Sequence, residues 1–158
     1  MQENTLGIYV ANCLKSWGKT DIGFINLDAL MADLPQGTLT EGQLYKALPF
    51  DDKVMFMKMR GDDLLQALQE SINNQKHFYL KGLEIFYSDT EKKKIGKIKV
   101  GGYNIQNDKL YSLSLPDHII SGGLGHDAFL NMFEFKNTDR PVREIVKWCL
   151  SRKVVPVK

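Results

Sequence analysis

The stretch whose reading decides the fold is Ile22-Gly23-Phe24-Ile25-Asn26-Leu27-Asp28-Ala29-Leu30-Met31-Ala32-Asp33-Leu34-Pro35-Gln36-Gly37-Thr38-Leu39-Thr40-Glu41-Gly42-Gln43-Leu44-Tyr45-Lys46-Ala47-Leu48-Pro49-Phe50. Ile22, Phe24 and Ile25 make an apolar run too short for a helix, so a buried strand is expected, ending at Asn26. The carboxyl ends of strands are where open α/β sheets gather ligand-contacting groups. Pro35 and Gly37 punctuate a loop. Thr40 followed three positions later by Gln43 is a capping-box signature, with Leu44, Ala47 and Leu48 as the apolar side of a short helix. Pro49 and Phe50 then lead into the next strand. A strand end and a helix entrance joined by a loop make a candidate binding edge.

Working outward, Asn4 or Thr5 can cap a first helix whose apolar residues are Leu6, Ile8, Val10, Ala11, Leu14 and Trp17, ended by Gly18. Residues 53–60 are apolar at nearly every position, as a strand covered on both faces would be. Gly61-Asp62-Asp63 opens a second long helix with Leu64, Leu65, Leu68 and Ile72 at helical spacing. Residues 78–88 are strand-rich with a break at Gly82, and the charged run at 89–94 reads as a solvated loop tip. Two more strands are expected at 95–100 and 109–115, the second covered on more than one side. A loop follows over 116–126, containing His118 and the glycines Gly122, Gly123 and Gly125. Phe129, Leu130, Met132, Phe133 and Phe135 are expected to carry the chain back into the core. Asp139, with Pro141 in the first turn, is expected to open a C-terminal helix. Helices and strands are interspersed, so the expected fold class is α+β (mixed α/β): a single domain over 1–158 with a mixed β-sheet flanked by helices.

The 158 residues suffice to bury one core. A hydrophobic content of 43% and a charged content of 25% are ordinary for a soluble globular chain. A net charge of +2 gives no electrostatic reason to invoke nucleic acid. No apolar run approaches the roughly 18–20 residues of a membrane span, and no signal-peptide core is present. The chain is therefore expected to be cytoplasmic or to have lost a leader. Cys13 and Cys149 lie at opposite ends of the chain, each in an apolar helical pattern. Two buried thiols are expected rather than a disulfide, which leaves the redox compartment open.

Catalytic chemistry is not legible. Hydrolytic metal sites need His, Asp and Glu converging on one or two ions. The histidines stand at 77, 118 and 126, none in a ligand-spaced pattern, so no metal site and no cofactor are expected in this chain. No serine sits in a nucleophile elbow, and residues 121–125 match neither a Walker loop nor a dinucleotide fingerprint. Two loops remain, one carrying Asn26 and Phe50, the other His118 and the glycines. An aromatic ring facing an imidazole can clamp a flat ring by stacking. The residues alone leave open that Phe50 is core and His118 merely a surface residue.

Taken together in order, these segments resemble the C-terminal, substrate-recognition domain of the 5′-nucleotidase family, also found in UDP-sugar hydrolases and apyrases. The opening Glu3-Asn4-Thr5-Leu6-Gly7-Ile8-Tyr9-Val10-Ala11-Asn12 is similar to the family's N-L-G-N-L-x-A-D helix. Phe24-Ile25-Asn26-Leu27-Asp28-Ala29-Leu30-Met31-Ala32-Asp33 stands where the family has its N-G-G-G-I-R loop, residues 37–45 at G-x-I-T-x-G-D-L-Y, and Leu48-Pro49-Phe50 at L-P-F. Residues 60–68 resemble T-G-x-x-L-x-x-x-L, and Gly122-Gly123-Leu124-Gly125 stands at G-G-D-G.

The resemblance implies a module serving nucleotide hydrolysis and catabolism. Arginines hold phosphate, two rings sandwich the base, an Asn contacts the base and an Asp holds ribose. Asn26 and Phe50 match, and His118 replaces the second ring. Gln2 and Met31 stand at arginine positions and Leu124 at the aspartate. Neither a thioether nor a leucine forms charge-assisted hydrogen bonds, each worth about 1.5–3 kcal/mol. A largely lost phosphate and ribose site is therefore expected, with no catalytic residue in the chain. The family's divalent metals belong to an N-terminal metallophosphoesterase domain, expected here only as a separate domain or subunit partner. A nucleoside-like ligand, no nucleic acid and a periplasmic or other extracytoplasmic location complete the expectation. The alternatives are a degenerate interaction module, binding a protein partner or itself, and an excised domain of an active hydrolase.

Overall fold

The computed structural model describes residues 3–35, 37–121 and 127–152. Helix α1 (Glu3–Gly18) leads into β1 (Ile22–Asn26), whose five residues are all buried. A single 3-10 turn, Leu27–Ala29, follows, and then α2 (Glu41–Ala47). The capping box is formed: Gln43 N–H donates to Thr40 Oγ1 at 3.3 Å, and Thr40 N–H donates to Gln43 Oε1 at 2.9 Å. Strand β2 (Lys53–Arg60) runs directly into α3 (Gly61–Asn73). The remaining elements are β3 (Phe78–Lys81), β4 (Leu83–Tyr87), β5 (Ile95–Val100), β6 (Tyr103–Asn104), β7 (Leu110–Pro116), α4 (Asp117–Ile120), a 3-10 turn at Asp127–Leu130, β8 (Glu134–Pro141) and α5 (Val142–Ser151).

A five-stranded sheet in the order β3-β1-β7-β2-β8 divides the molecule. Only β1 and β7 pair in parallel; the other neighbours are antiparallel. One face carries α1, α2 and α5 over a core that includes Leu6, Val10, Leu14, Ile25, Val54 and Val146. The other face meets α3 and a smaller antiparallel sheet, β4-β5-β6, over Phe24, Met57, Leu68, Ile98 and Leu113. This is the expected mixed sheet flanked by helices. Gly82, at φ +89°, is the break foreseen after β3, and it passes the chain from the large sheet to the small one. Gly23 lets α1 lie directly on β1, because a Cβ there would run into the Ala11 carbonyl oxygen.

Several expectations are corrected. Helix α1 already begins at Glu3, so neither Asn4 nor Thr5 precedes it as a cap, and Ile8 is exposed rather than part of the apolar face. Residues 117–120 form a helical turn instead of loop. Phe129 is buried against Phe24, with ring centroids 5.1 Å apart, but Leu130, Phe133 and Phe135 do not return to the core. Phe133 precedes edge strand β8 and Phe135 lies on it; both are exposed, with the Arg60 guanidinium over the Phe133 ring. Strand β8 runs through Pro141, with Asp139 at φ +56°, so Asp139 belongs to β8 and α5 starts at Val142. Thr138 Oγ1 donates to the Val54 carbonyl at 2.7 Å, holding that segment on β2. Cys13 and Cys149 are buried, as expected, yet they form a disulfide joining α1 to α5, with Cα atoms 5.9 Å apart. The expectation of two free thiols was wrong because helix adjacency is a product of topology, which the spacing of the cysteines does not encode.

Candidate functional site

The C-terminal ends of β1 and β7 and the entrance to β2 lie side by side along one edge of the large sheet. Two registers fix this. The parallel pairs Ile22 with Leu113 and Gly23 with Ser114, extended along the strands, bring Asn26 level with the start of α4. The antiparallel pair Val54 with Pro116, extended the other way, brings Asp52 opposite His118. The side chains agree, since His118 Nδ1 lies 3.1 Å from Asp52 Oδ2. That contact has ion-pair distance without the alignment of a hydrogen bond, and neither ring nitrogen of His118 has a hydrogen-bond partner. One oxygen of Asp52, one of Asp117 and one nitrogen of His118 lie within 4.8 Å of one another.

Phe50 is 47% exposed, two residues before Asp52. Both line a shallow crevice with Ile25, Ala29, Leu48 and Val142. Its cavity volume of about 10 Å³ falls far short of the ~300–1,000 Å³ of an enclosed ligand pocket. The geometry is thus an open edge with one aromatic ring and one imidazole.

Asn26 is placed differently from the expectation of an accessible contact. It is 1% exposed, and neither its amide nitrogen nor its carbonyl oxygen has a hydrogen-bond partner. Its backbone ends β1 opposite Phe78, and the next amide, of Leu27, donates to the His77 carbonyl at 2.9 Å. A buried, unpaired side-chain amide is costly, about 1–3 kcal/mol, and calls for a physical reason.

Met31 is 61% exposed, with its backbone N–H on the last carbonyl of α2, that of Ala47. Gln2 and Leu124, like His126 and the glycines at 122, 123 and 125, lie outside the described residues.

Residues that the sequence did not single out hold the edge in place. Arg143 on α5 donates to the Leu48 carbonyl at 2.7 Å, the Phe50 carbonyl at 3.3 Å and Asp51 Oδ1 at 2.7 Å, and lies over the Tyr45 ring. The Asp52 carbonyl accepts from Val142 N–H at 2.9 Å. Lys147 pairs with Glu41 at the start of α2 and holds that carboxyl below its ordinary pKa by hydrogen bonding and then by charge. No sequence signal marks Arg143, since its partners are backbone carbonyls some ninety residues earlier. The remaining arginines are engaged away from this edge: Arg60 on Phe133, Arg140 with Glu144, and Arg152 on Trp148.

The chain matches the family model described as 5′-nucleotidase, C-terminal domain over residues 1–134. It is 28% identical over 134 residues to cell wall protein Lmo0130 of Listeria monocytogenes, covering 77% of this chain and 17% of that protein. It is 21% identical over 150 residues to a 5′-nucleotidase of Vibrio cholerae, covering 92% and 27%. The chain therefore spans less than a third of either relative. Among solved structures, it resembles a 5′-nucleotidase precursor from Thermus thermophilus with a TM-score of 0.81 at 21% identity, covering 94% of this chain and 32% of that one. An NAD nucleotidase of Haemophilus influenzae gives 0.79 at 19% identity, covering 93% and 30%. At these identities the structural likeness speaks for the fold.

Proposed function

This chain belongs to the 5′-nucleotidase C-terminal domain family, and from that premise we propose that it is a substrate-recognition module for nucleotide hydrolysis that holds the nucleobase and contributes no catalytic group. The observation supporting this reading is that the half-exposed Phe50 lines one crevice with Asp52, whose carboxylate lies 3.1 Å from the His118 imidazole. Two stackable rings there can grip a base, at about 1–3 kcal/mol per stacked base.

The grip on phosphate and ribose is proposed to be largely absent. Met31 offers an apolar thioether where the resemblance places an arginine, and Arg143 is already committed to Leu48, Phe50 and Asp51. In this reading the divalent metals and the hydrolytic step belong to a metallophosphoesterase domain or subunit acting with this one. An extracytoplasmic location is part of the proposal. The Cys13–Cys149 disulfide supports it, because such bonds persist in oxidising compartments, and one relative is named a cell wall protein. Among the described residues no helix is long and apolar enough to cross a membrane.

Calorimetric titration with adenosine and with AMP tests the proposal. Weak affinities that agree within about threefold are expected, since the phosphate would find no charged partner. An AMP preference of tenfold or more would restore the phosphate site, and saturating amounts of both ligands without heat or competition would remove the base site.

A further inference from the structure

The ring-clamp reading leaves three groups unexplained: the carboxylates of Asp52 and Asp117, and the in-plane nitrogens of His118. We propose that Asp52, Asp117 and His118 form a binding site for one divalent first-row transition-metal ion, of which Zn2+ and Mn2+ are the probes. The inference goes beyond the base-binding reading and does not rest on it.

Geometry comes first. One ligand atom from each residue lies within 4.8 Å of the other two, and all three residues are half-buried. Ligands sharing one ion at about 2.0–2.2 Å stand some 3–4 Å apart, so a small inward rotamer adjustment closes the set. One imidazole and two carboxylates match the nitrogen and oxygen preference of such ions, and the two carboxylates balance a dication.

The second observation is that the buried ring nitrogens of His118 have no hydrogen-bond partner. His118 Nδ1 and Nε2 are both buried and neither has a hydrogen-bond partner, although Asp52 stands 3.1 Å away. A histidine that serves only as an ion-pair partner would align one N–H on the carboxylate. Asn26, 99% buried by its 1% exposure, likewise leaves both amide atoms unpaired. The β1–β7 register, extended along the strands, sets its backbone level with Asp117. Buried ring nitrogens without a hydrogen-bond partner, set beside two carboxylates, are what an ion ligand set presents.

The scaffold suits the role. The Asp52 backbone is bonded to Val142 N–H, and its neighbour Asp51 is bonded by Arg143. Asp117 and His118 occupy successive positions of α4, directly after β7. The sequence could not reveal the set, because Asp52 and His118 are brought together only by the pairing of β2 with β7. Ligation is also compatible with stacking: imidazole lone pairs lie in the ring plane, so an ion at the edge leaves the face free.

The test is titration of the chelator-stripped, disulfide-intact chain with Zn2+ alone and with Mn2+ alone, by calorimetry and by NMR. One equivalent is expected, with Mn2+ broadening the amide signals of Asn26, Asp52, Asp117 and His118. Asp117→Asn and His118→Gln, near-isosteric changes at half-exposed positions, should each weaken binding tenfold or more, whereas His77→Gln should leave it unchanged. An unaltered backbone spectrum certifies each variant as folded. No saturable binding of either ion, broadening centred on His77 or residues 89–94, or undiminished affinity in both Asp117→Asn and His118→Gln would each overturn the proposal. Adenosine titration in the presence of chelator reads base binding separately, so either idea can fail without the other.

Discussion

Asn26 combines near-complete burial with an amide that no protein group satisfies, which places its usefulness outside the folded chain's own stability. Replacing such a group by an apolar side chain of similar size removes the desolvation penalty. Asn26→Leu is therefore expected to stabilise the protein by about 1 kcal/mol in urea denaturation. If the amide serves a bound ligand, the same substitution weakens binding of adenosine or of the ion. A loss of stability together with unchanged binding would mean that Asn26 is a structural residue. Phe50 and His118 stood out in the sequence as candidates because each has recognisable neighbours, Leu48-Pro49 before one and the glycine cluster after the other. Asp52, Asp117 and Arg143 did not. Their importance depends on which strand lies beside which, and a local pattern contains no such information.

Single elements show where that limit falls. Strand β1 and helix α2 were readable in place, because a short apolar run and a capping box are local signals that tertiary structure had no cause to override. Leu130, Phe133 and Phe135 were misread for the complementary reason. Apolar character predicts burial only when a partner covers the element, and β8 is an edge strand whose Phe135 faces solvent. The disulfide between α1 and α5 closes a sequence separation of 136 residues. On the chain-entropy account, its removal by Cys13→Ala with Cys149→Ala costs about 2–5 kcal/mol. The urea midpoint should fall accordingly, and adding reductant should shift the parent chain but not the variant. The hairpin tip after β4 gives a pH prediction. Backbone N–H groups of Lys94 and Lys93 donate to the Asp89 carboxylate and, Lys94 first, hold its pKa below the ordinary 3.8. A group depressed on folding contributes stability above its unfolded pKa and loses it as pH falls through the folded one. Hydrogen exchange at the Lys93 and Lys94 amides, corrected for intrinsic rates, should accelerate only below the normal carboxylate range. Asp89→Asn should show no such step.

At the scale of the whole molecule, the order of elements sufficed for the fold class. Strands and helices alternate with adjacent strands in the second half, and the mixed sheet with two apolar faces is the arrangement that buries them all. What the order does not specify is what the completed edge binds. The central claim is that Phe50 and His118 form a base clamp with little hold on phosphate. Its most direct measurement is a two-dimensional amide NMR titration of the chain with adenosine and then AMP, repeated on Phe50→Ala. The account predicts that the two ligands shift the same amides, those of Phe50, Asp52 and His118, at similar concentrations. Phe50→Ala, a substitution at a half-exposed ring, should weaken both by about five- to 150-fold, the equivalent of ~1–3 kcal/mol of stacking. Shifts centred elsewhere in the molecule, or the same affinity in Phe50→Ala as in the parent, would contradict it.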